Sequence, residues 1–273
     1  MRRTWRTWWI YLLAAAMLVA VAAPFVWMLL GSFKTDGELL RVPPTWLPDD
    51  PTTGNYSELF SKANFPHYFF NSTLVALVVT AGNLIFCSML GYALAKLRFK
   101  GRSVLFVLVL GTLMVPGMVT FVPLFVLVTN AGLANTYPGL ILPFLVSPFG
   151  VFLMRQFFAG LPDDLLDAGR VDGTSELGIF ARIMLPLCRP ALATLGILTF
   201  LGSWNNFLWP LVIAQTEDKY TLPVALALYS TGQNAQHFGL LMAGAVVVVV
   251  PVLVMFLAFQ RHVTKGIAIT GLK

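Results

Sequence analysis

Charged residues along the chain come in short clusters separated by long apolar runs, and the runs set the architecture. A helix rises about 1.5 Å per residue, so roughly 20 apolar residues cross a hydrocarbon core of about 30 Å. A charge at the centre of such a helix costs roughly 2.5–3.5 kcal/mol on insertion scales, so charge-free stretches mark the spans. Six spans are predicted, at about 8–30, 70–94, 104–128, 137–157, 191–213 and 239–259. The third and fourth share one stretch between Arg102 and Arg155 that holds no charged residue and is divided by a polar break at Thr129–Thr136. The sixth contains Ala245–Val250, a β-branched run that a buried strand would also carry, but the runs are too long for ordinary strands. The expected fold class is all-α: a polytopic membrane protein with six transmembrane helices, forming a single domain over residues 1–273.

Composition points the same way. Of 273 residues 58% are hydrophobic and 11% charged, where a soluble domain carries roughly 25% charged residues. The net charge of +6 would suit an acidic partner, yet no basic stripe with interleaved aromatics is present, so no nucleic acid is expected. Placement explains the charge instead. With the N-terminus inside, the inner segments hold Arg2, Arg3 and Arg6; Lys96, Arg98, Lys100 and Arg102; Arg155, Arg170, Arg182 and Arg189; and Arg261, Lys265 and Lys273, which is 14 of the 18 Lys and Arg. The outer segments hold Lys34, Arg41, Lys62 and Lys219. That bias follows the positive-inside rule and puts both termini in the cytoplasm. Arg2, Arg3 and Arg6 before an apolar run would also suit a signal peptide, with Val19–Ala23 as its small-residue site. Apolarity continues through Pro24 to Leu30, which favours a retained first helix.

The outer segment Gly31–His67 is rich in turn formers (Pro43, Pro44, Pro48, Pro51, Gly54), with Trp46 and Tyr56 suited to the interface. Asn71-Ser72-Thr73 fits a glycosylation sequon, but a cap on the second helix is the favoured reading. Cys87 and Cys188 have no evident reason to pair, and the three histidines are scattered, so no metal or catalytic cluster is legible.

The inner segment between the fourth and fifth spans, about 160–189, is the most informative. Pro162, Asp163 and Asp164 start a short helix and place acids where the helix dipole favours them. Leu165, Leu166 and Ala168 form a short apolar edge. Gly173, after Asp172, suits a left-handed stop. Thr174 or Ser175 caps a second helix with Glu176 in its first turn, and Ile179, Phe180, Ile183, Met184 and Leu187 share one stripe. Pro186 and Pro190 then redirect the chain. On physical grounds alone this is equally a connector packed on its own bundle and a docking element for a soluble partner.

The loop resembles the EAA motif of ATP-binding-cassette importer permeases, approximately E-A-A-x-x-D-G-A followed by a spacer and L-P. The matching residues are Asp167, Ala168, Gly169, Asp172, Gly173, Leu185 and Pro186. Asp167 stands where Glu is usual, Gly169 where Ala is usual, and Thr174 replaces the common Ala. Gly91–Phe99, Asn71-Ser72, Ser203–Pro210, Thr221-Leu222-Pro223 and the tail from Gln260 to Gly266 extend the resemblance over nearly the whole chain, closest to the smaller, six-span subunit of the maltose-type carbohydrate permeases.

The resemblance implies a type I importer permease fold and a coupling role for Asp167, Ala168, Gly169, Asp172 and Gly173. It also implies a second permease subunit, an ATP-binding subunit dimer that carries ATP and Mg, an extracytoplasmic solute-binding protein, a carbohydrate substrate and a bacterial or archaeal cytoplasmic membrane. This chain has no G-x-x-x-x-G-K-[ST] phosphate loop, so no cofactor and no enzymatic activity of its own are expected. Asn205 and Asn206, beside Trp204, Phe207 and Trp209, suit a sugar: amides bond hydroxyls and rings stack on apolar sugar faces. The same residues also suit helix packing and the membrane interface. Glycerol phosphates and other polar solutes are alternative cargoes. An ion-coupled transporter is disfavoured because the six span interiors lack Asp, Glu, Lys and Arg, and an embedded enzyme lacks clustered catalytic groups.

Overall fold

The computed structural model describes residues 8–61, 64–231 and 237–270, with side chains described as far as Leu257. Arg2, Arg3, Arg6, Lys62 and Lys273, used above to orient the chain, lie outside the described residues. Within them every regular element is helical. Four helices are long and apolar enough to cross a membrane: Trp8–Gly31, Phe65–Lys96, Tyr137–Ala159 and Phe238–Leu257. Two bent pairs bring the number to six when each is taken as one span: Arg102–Met114 with Gly117–Asn130, and Glu176–Leu187 with Arg189–Trp204. The first helix runs through Val19–Ala23 and Pro24 without a break.

The structure interrupts two runs that read as continuous. The third expected span bends by 103° between Met114 and Gly117. Val115, the residue before Pro116, is extended at φ −82°, ψ 119°, as the proline ring requires of its predecessor. The fifth begins at Arg189, with Pro190 in its first turn, and stops at Trp204. Asn205 caps that end, and Leu208–Ile213 forms a separate short helix.

The chain divides into two compact units, one formed by the chain up to His67 with Ala225–Pro251, the other by Tyr68–Val224 with the chain from Val252 onward. In the first unit the segment after Trp8–Gly31 is knotted around a buried cation. Lys34, 2% exposed, donates to the Thr45 hydroxyl at 2.8 Å and to the Thr45 carbonyl, and lies 3.3 Å from the Glu38 carboxylate. Glu38 also accepts from the Thr45 hydroxyl at 2.7 Å and the Asp49 backbone N–H at 3.2 Å. A buried ion pair needs such extra partners to offset desolvation. Asn55 ties the Ser32 and Lys34 carbonyls, each at 2.8 Å, and Asp36 accepts from the Gly239 N–H at 2.8 Å.

The second unit is organised around the helix Ser88–Lys96, which lies against Pro148–Ala159. The approach is closest at Gly91, where an added Cβ would fall 2.7 Å from Met154 Cβ and 2.8 Å from the Arg155 backbone nitrogen. Around it Cys87, Tyr92, Val151, Met154, Phe158 and Ile179 form a buried core. A second cluster centres on Trp209, whose indole N–H donates to the Gly139 carbonyl at 3.1 Å.

Asn71 is neither a cap nor a sequon here. Its helix starts at Phe65, and Asn71 is fully buried inside it. Its amide donates to the carbonyls of Asp218 (3.0 Å) and Tyr220 (2.9 Å), its oxygen accepts from the Tyr137 hydroxyl (2.7 Å), and Ser72 Oγ accepts from the Leu222 N–H (2.8 Å). These two residues clamp the 217–222 connection onto the second span.

Gly91→Val is expected to lower the thermal stability of the detergent-extracted protein, because overpacking against backbone costs about 1–3 kcal/mol. Gly111→Ala, where an added Cβ would meet nothing within 4 Å, is the control and should leave the midpoint unchanged or raised. A thermal-shift assay on the two variants separates the outcomes.

Candidate functional site

The loop between the fourth and fifth spans folds as its local chemistry dictates. The helix Asp164–Val171 carries Asp164 and Asp167 in its first turn. It ends at Gly173, which adopts φ +73°. The Gly173 N–H returns to the Arg170 carbonyl at 3.1 Å and the Thr174 N–H to the Gly169 carbonyl at 2.9 Å, the paired bonds of a Schellman stop. Ser175 then caps Glu176–Ile179, its Oγ accepting from the Gly178 N–H at 3.2 Å. Ile179, Phe180 and Met184 are buried as the stripe requires, but Leu187 is 50% exposed. The helix widens into a π-turn over Phe180–Met184, which moves Leu187 off the stripe.

On the first helix the inward side is Leu166 and Gly169, and Ala168 faces out rather than in. A Cβ at Gly169 would sit 3.0 Å from both Ile179 Cγ1 and Ile183 Cδ1, so glycine lets the two helices of the loop close on each other. The outward face is Asp164, Asp167, Ala168 and Val171, at i, i+3, i+4 and i+7, and Val171 is 87% exposed.

Two side chains of the Ser88–Lys96 helix, Lys96 and Tyr92, fasten this loop to it. Buried Lys96 donates to the Leu161 carbonyl at 2.6 Å and to the Asp163 carboxylate. The hydrogen bond from Lys96 holds the Asp163 carboxyl below the usual carboxylate range. The latch is therefore intact above that range and is lost only as the pH falls through the depressed value. The Tyr92 hydroxyl, on the same helix, donates to Glu176 Oε2 at 3.1 Å. Arg170 joins the two halves of the loop, donating from Nε to Glu176 Oε1 at 2.8 Å and from Nη1 to Asp167 Oδ1 at 3.2 Å. Lys96, Arg98, Phe99, Asp167, Arg170 and Glu176 line a recess of about 620 Å³ beside these contacts.

A second recess, of about 440 Å³, lies among the spans of the same unit, with a largely apolar wall into which polar side chains are set. Asn83, Thr120, Ser147, Thr199, Ser203 and Asn206 contribute to its wall. Asn83 is braced by its amide on the Phe144 carbonyl at 2.7 Å, and its oxygen accepts from the Ser147 hydroxyl at 2.7 Å.

The residues singled out from sequence fall in different places. Asp167, Ala168, Gly169, Asp172 and Gly173 form one turn of structure, with Gly169 beneath and the other four exposed. Of the second group only Asn206 reaches the recess. Trp204 is buried between Phe69, edge-on at 5.7 Å, and Phe200, stacked at 5.8 Å. Asn205 donates to the Leu201 carbonyl at 2.9 Å, and Phe207 caps the next short helix. Sequence reading passed over Thr199 and Ser203, although polar residues at 199, 203 and 206 in an apolar run trace one helical face. It also missed Tyr92, Arg170 and Glu176 as a linked set, which no local spacing announces.

Residues 87–269 match the family described as binding-protein-dependent transport system inner membrane component. The chain is 41% identical over 269 residues to the arabinooligosaccharides transport system permease protein AraQ of Halalkalibacterium halodurans, covering 97% of this chain and 96% of that one. It is 45% identical over 256 residues to the protein of the same description in Bacillus subtilis, covering 92% and 90%. To the diacetylchitobiose uptake system permease protein NgcG of Streptomyces coelicolor it is 37% identical over 253 residues, covering 92% and 83%. Its fold is that of a chain in the crystal structure of a bacterial ABC transporter involved in the import of the acidic polysaccharide alginate, with a TM-score of 0.87 and 23% identity over 96% of this chain and 98% of that one.

Tyr92→Phe removes one half-buried hydrogen bond to Glu176, worth about 0.5–1.5 kcal/mol. Amide exchange of residues 164–171 should accelerate by about two- to tenfold while the Pro148–Ala159 amides keep their protection. Glu176→Gln should act in the same direction, and the double variant should be no worse than the more affected single one.

Proposed function

This chain belongs to the family of binding-protein-dependent transport system inner membrane components, and we propose that it is one of two permease subunits of an ATP-driven carbohydrate importer. In this reading the whole chain is one transmembrane domain with both termini in the cytoplasm. The loop at about 160–189 is its coupling element, with Asp167, Ala168, Gly169, Asp172 and Gly173 as the contact turn. ATP and Mg are bound by a partner ATPase pair, a second permease completes the pathway, and an extracytoplasmic solute-binding protein delivers the cargo. The first cargo to test is an arabinooligosaccharide, named for both AraQ relatives.

The observation that carries this reading is the display of the Asp164–Val171 helix. It is short, packed on its own loop through Leu166 and Gly169, and latched through Lys96, yet it leaves four residues of one face and the whole Gly173 turn exposed. Val171, 87% exposed, and Ala168 beside it give this acidic face an apolar strip that a docked partner would cover. A soluble motor that grips this face would move the Ser88–Lys96 helix with it, through Tyr92 and Lys96.

The test is uptake of labelled arabinotriose by cells that express the chain with its partner permease, ATPase and binding protein. Uptake is expected to require both ATP and the binding protein. Gly173→Val forces a β-branched residue into a left-handed backbone, a cost of about 1–2 kcal/mol. It should cut uptake about tenfold at an unchanged membrane level and weaken co-purification of the ATPase. Uptake that survives ATP depletion while the ion gradient is kept would sink the importer reading.

A further inference from the structure

Thr199, Gly202, Ser203 and Asn206 lie at i, i+3, i+4 and i+7, so one face of the chain around the end of the Arg189–Trp204 helix presents all four to the 440 Å³ recess. Two features of this face bear on what the recess can hold. Many hydroxyls inside the helices turn back onto the carbonyl four residues earlier: Thr73 on Phe69, Thr80 on Ala76, Ser88 on Leu84, Thr129 on Phe125 and, in the same helix, Thr194 on Pro190. That self-satisfaction is the ordinary fate of a hydroxyl in an apolar helix. Thr199 and Ser203 do not follow it, and neither has a hydrogen-bond partner among the described residues. The second feature is Gly202 between them, where an added Cβ would meet nothing within 4 Å. The glycine leaves open volume rather than serving a close helix contact.

The remaining wall completes the chemistry. Asn206 Oδ1 accepts from the Trp209 backbone N–H at 3.4 Å, which leaves its amide nitrogen available as a donor. Ser147 is fixed by its bond to Asn83, and Thr120 donates to the Gly117 carbonyl at 3.0 Å while keeping acceptor capacity. Phe144 and Phe149 add aromatic surface. Among the described residues no Asp, Glu, Lys, Arg or His lines the recess. Its volume falls within the usual range for small-molecule sites, about 300–1,000 Å³. A phosphate, sulfonate or uronate group placed there would find no counter-charge to offset its desolvation.

We propose that Thr199, Ser203 and Asn206, around the opening left by Gly202, form a subsite for an uncharged polyhydroxylated solute, and that this stripe helps select neutral sugars over anionic ones. Thr199 and Ser203 are about 6 Å apart along the helix axis, so successive hydroxyls of one sugar can meet both. The free hydroxyls supply donors and acceptors in turn, the Asn206 amide a further donor, and the phenylalanine rings a face for the apolar side of a sugar ring. The subsite rests on the importer reading, and the experiment separates the two.

The complete transporter, assembled with its partner permease, ATPase pair and binding protein, is assayed for arabinotriose uptake and for ATPase activity stimulated by the loaded binding protein. Thr199→Val and Ser203→Val are each expected to raise the half-saturating concentration about three- to tenfold, the loss of one hydrogen bond. Thr199→Ser and Ser203→Thr should restore it. Gly202→Leu should lower maximal uptake more than tenfold, with binding-protein stimulation of the ATPase kept in every variant. Unchanged uptake in both valine variants and in Gly202→Leu, with an active parent, overturns the subsite. A loss of uptake and stimulation together, shared by the conservative variants, makes the stripe structural and also overturns it. A parent assembly that takes up nothing refutes the importer reading instead.

Discussion

Gly91 meets the backbone of Met154 and Arg155 at a distance that admits no side chain, and the rest of the second unit is arranged around that approach. It brings Ser88–Lys96 against Pro148–Ala159 so closely that the next residue, Tyr92, is wedged between Phe158 and Phe180 at ring distances of 5.6 and 5.2 Å. From there the Tyr92 hydroxyl reaches Glu176, and one turn later Lys96 reaches the entrance of the loop. The exposed helix at Asp164–Val171 is thus held by contacts made at both of its ends, while its own outward face stays empty. A looser crossing would leave both anchors out of range. Small residues serve this purpose in membrane helices because hydrocarbon supplies no hydrophobic drive, so packing distance must.

Hydrocarbon also sets the cost of every interruption in a span, since unsatisfied backbone groups find no water there. Several breaks in this chain are repaired by neighbours. Asn83 covers the Phe144 carbonyl near the interruption before Pro148, the Trp209 indole covers the Gly139 carbonyl, and the Asn205 amide turns back onto Leu201. Against that background the open hydroxyls of Thr199 and Ser203 stand apart. Unlike Thr194 on the same helix, which bonds back to Pro190, these two hydroxyls border an open volume that a solute can enter.

What the sequence made legible follows from how local each determinant is. Charge-free runs located the spans because insertion cost is carried by single residues. The stop at Gly173 and the cap at Ser175 were readable because each is decided within about five residues. Pro116 was legible in principle, as the residue that bends the third span, but a reading tuned to charge passed over it. Leu187 left its stripe because a π-turn shifts helical phase, and nothing in Phe180–Met184 announces one. Asn71 was misplaced for a different reason: its partners lie at Asp218 and Tyr220, far along the chain. Trp204 and Asn206 were grouped by sequence proximity, yet helix phase buries one and opens the other to the recess.

The two candidate sites are joined by one continuous stretch of helical chain with a single sharp corner. Glu176–Leu187 meets Arg189–Trp204 at 82°, with Cys188 buried at the corner. The first arm carries Glu176, the anchor of the loop, and the second carries Thr199 and Ser203. Ala191 and Leu195 on the second arm are fully buried in the same core as Tyr92 and Met154. A displacement of the loop therefore has no slack linker in which to dissipate before it reaches the polar stripe. Elements with two packed arrangements transmit such displacements, whereas flexible connections absorb them. On the proposed importer reading, a pull on the Gly173 turn would in this way bear on what the recess can hold.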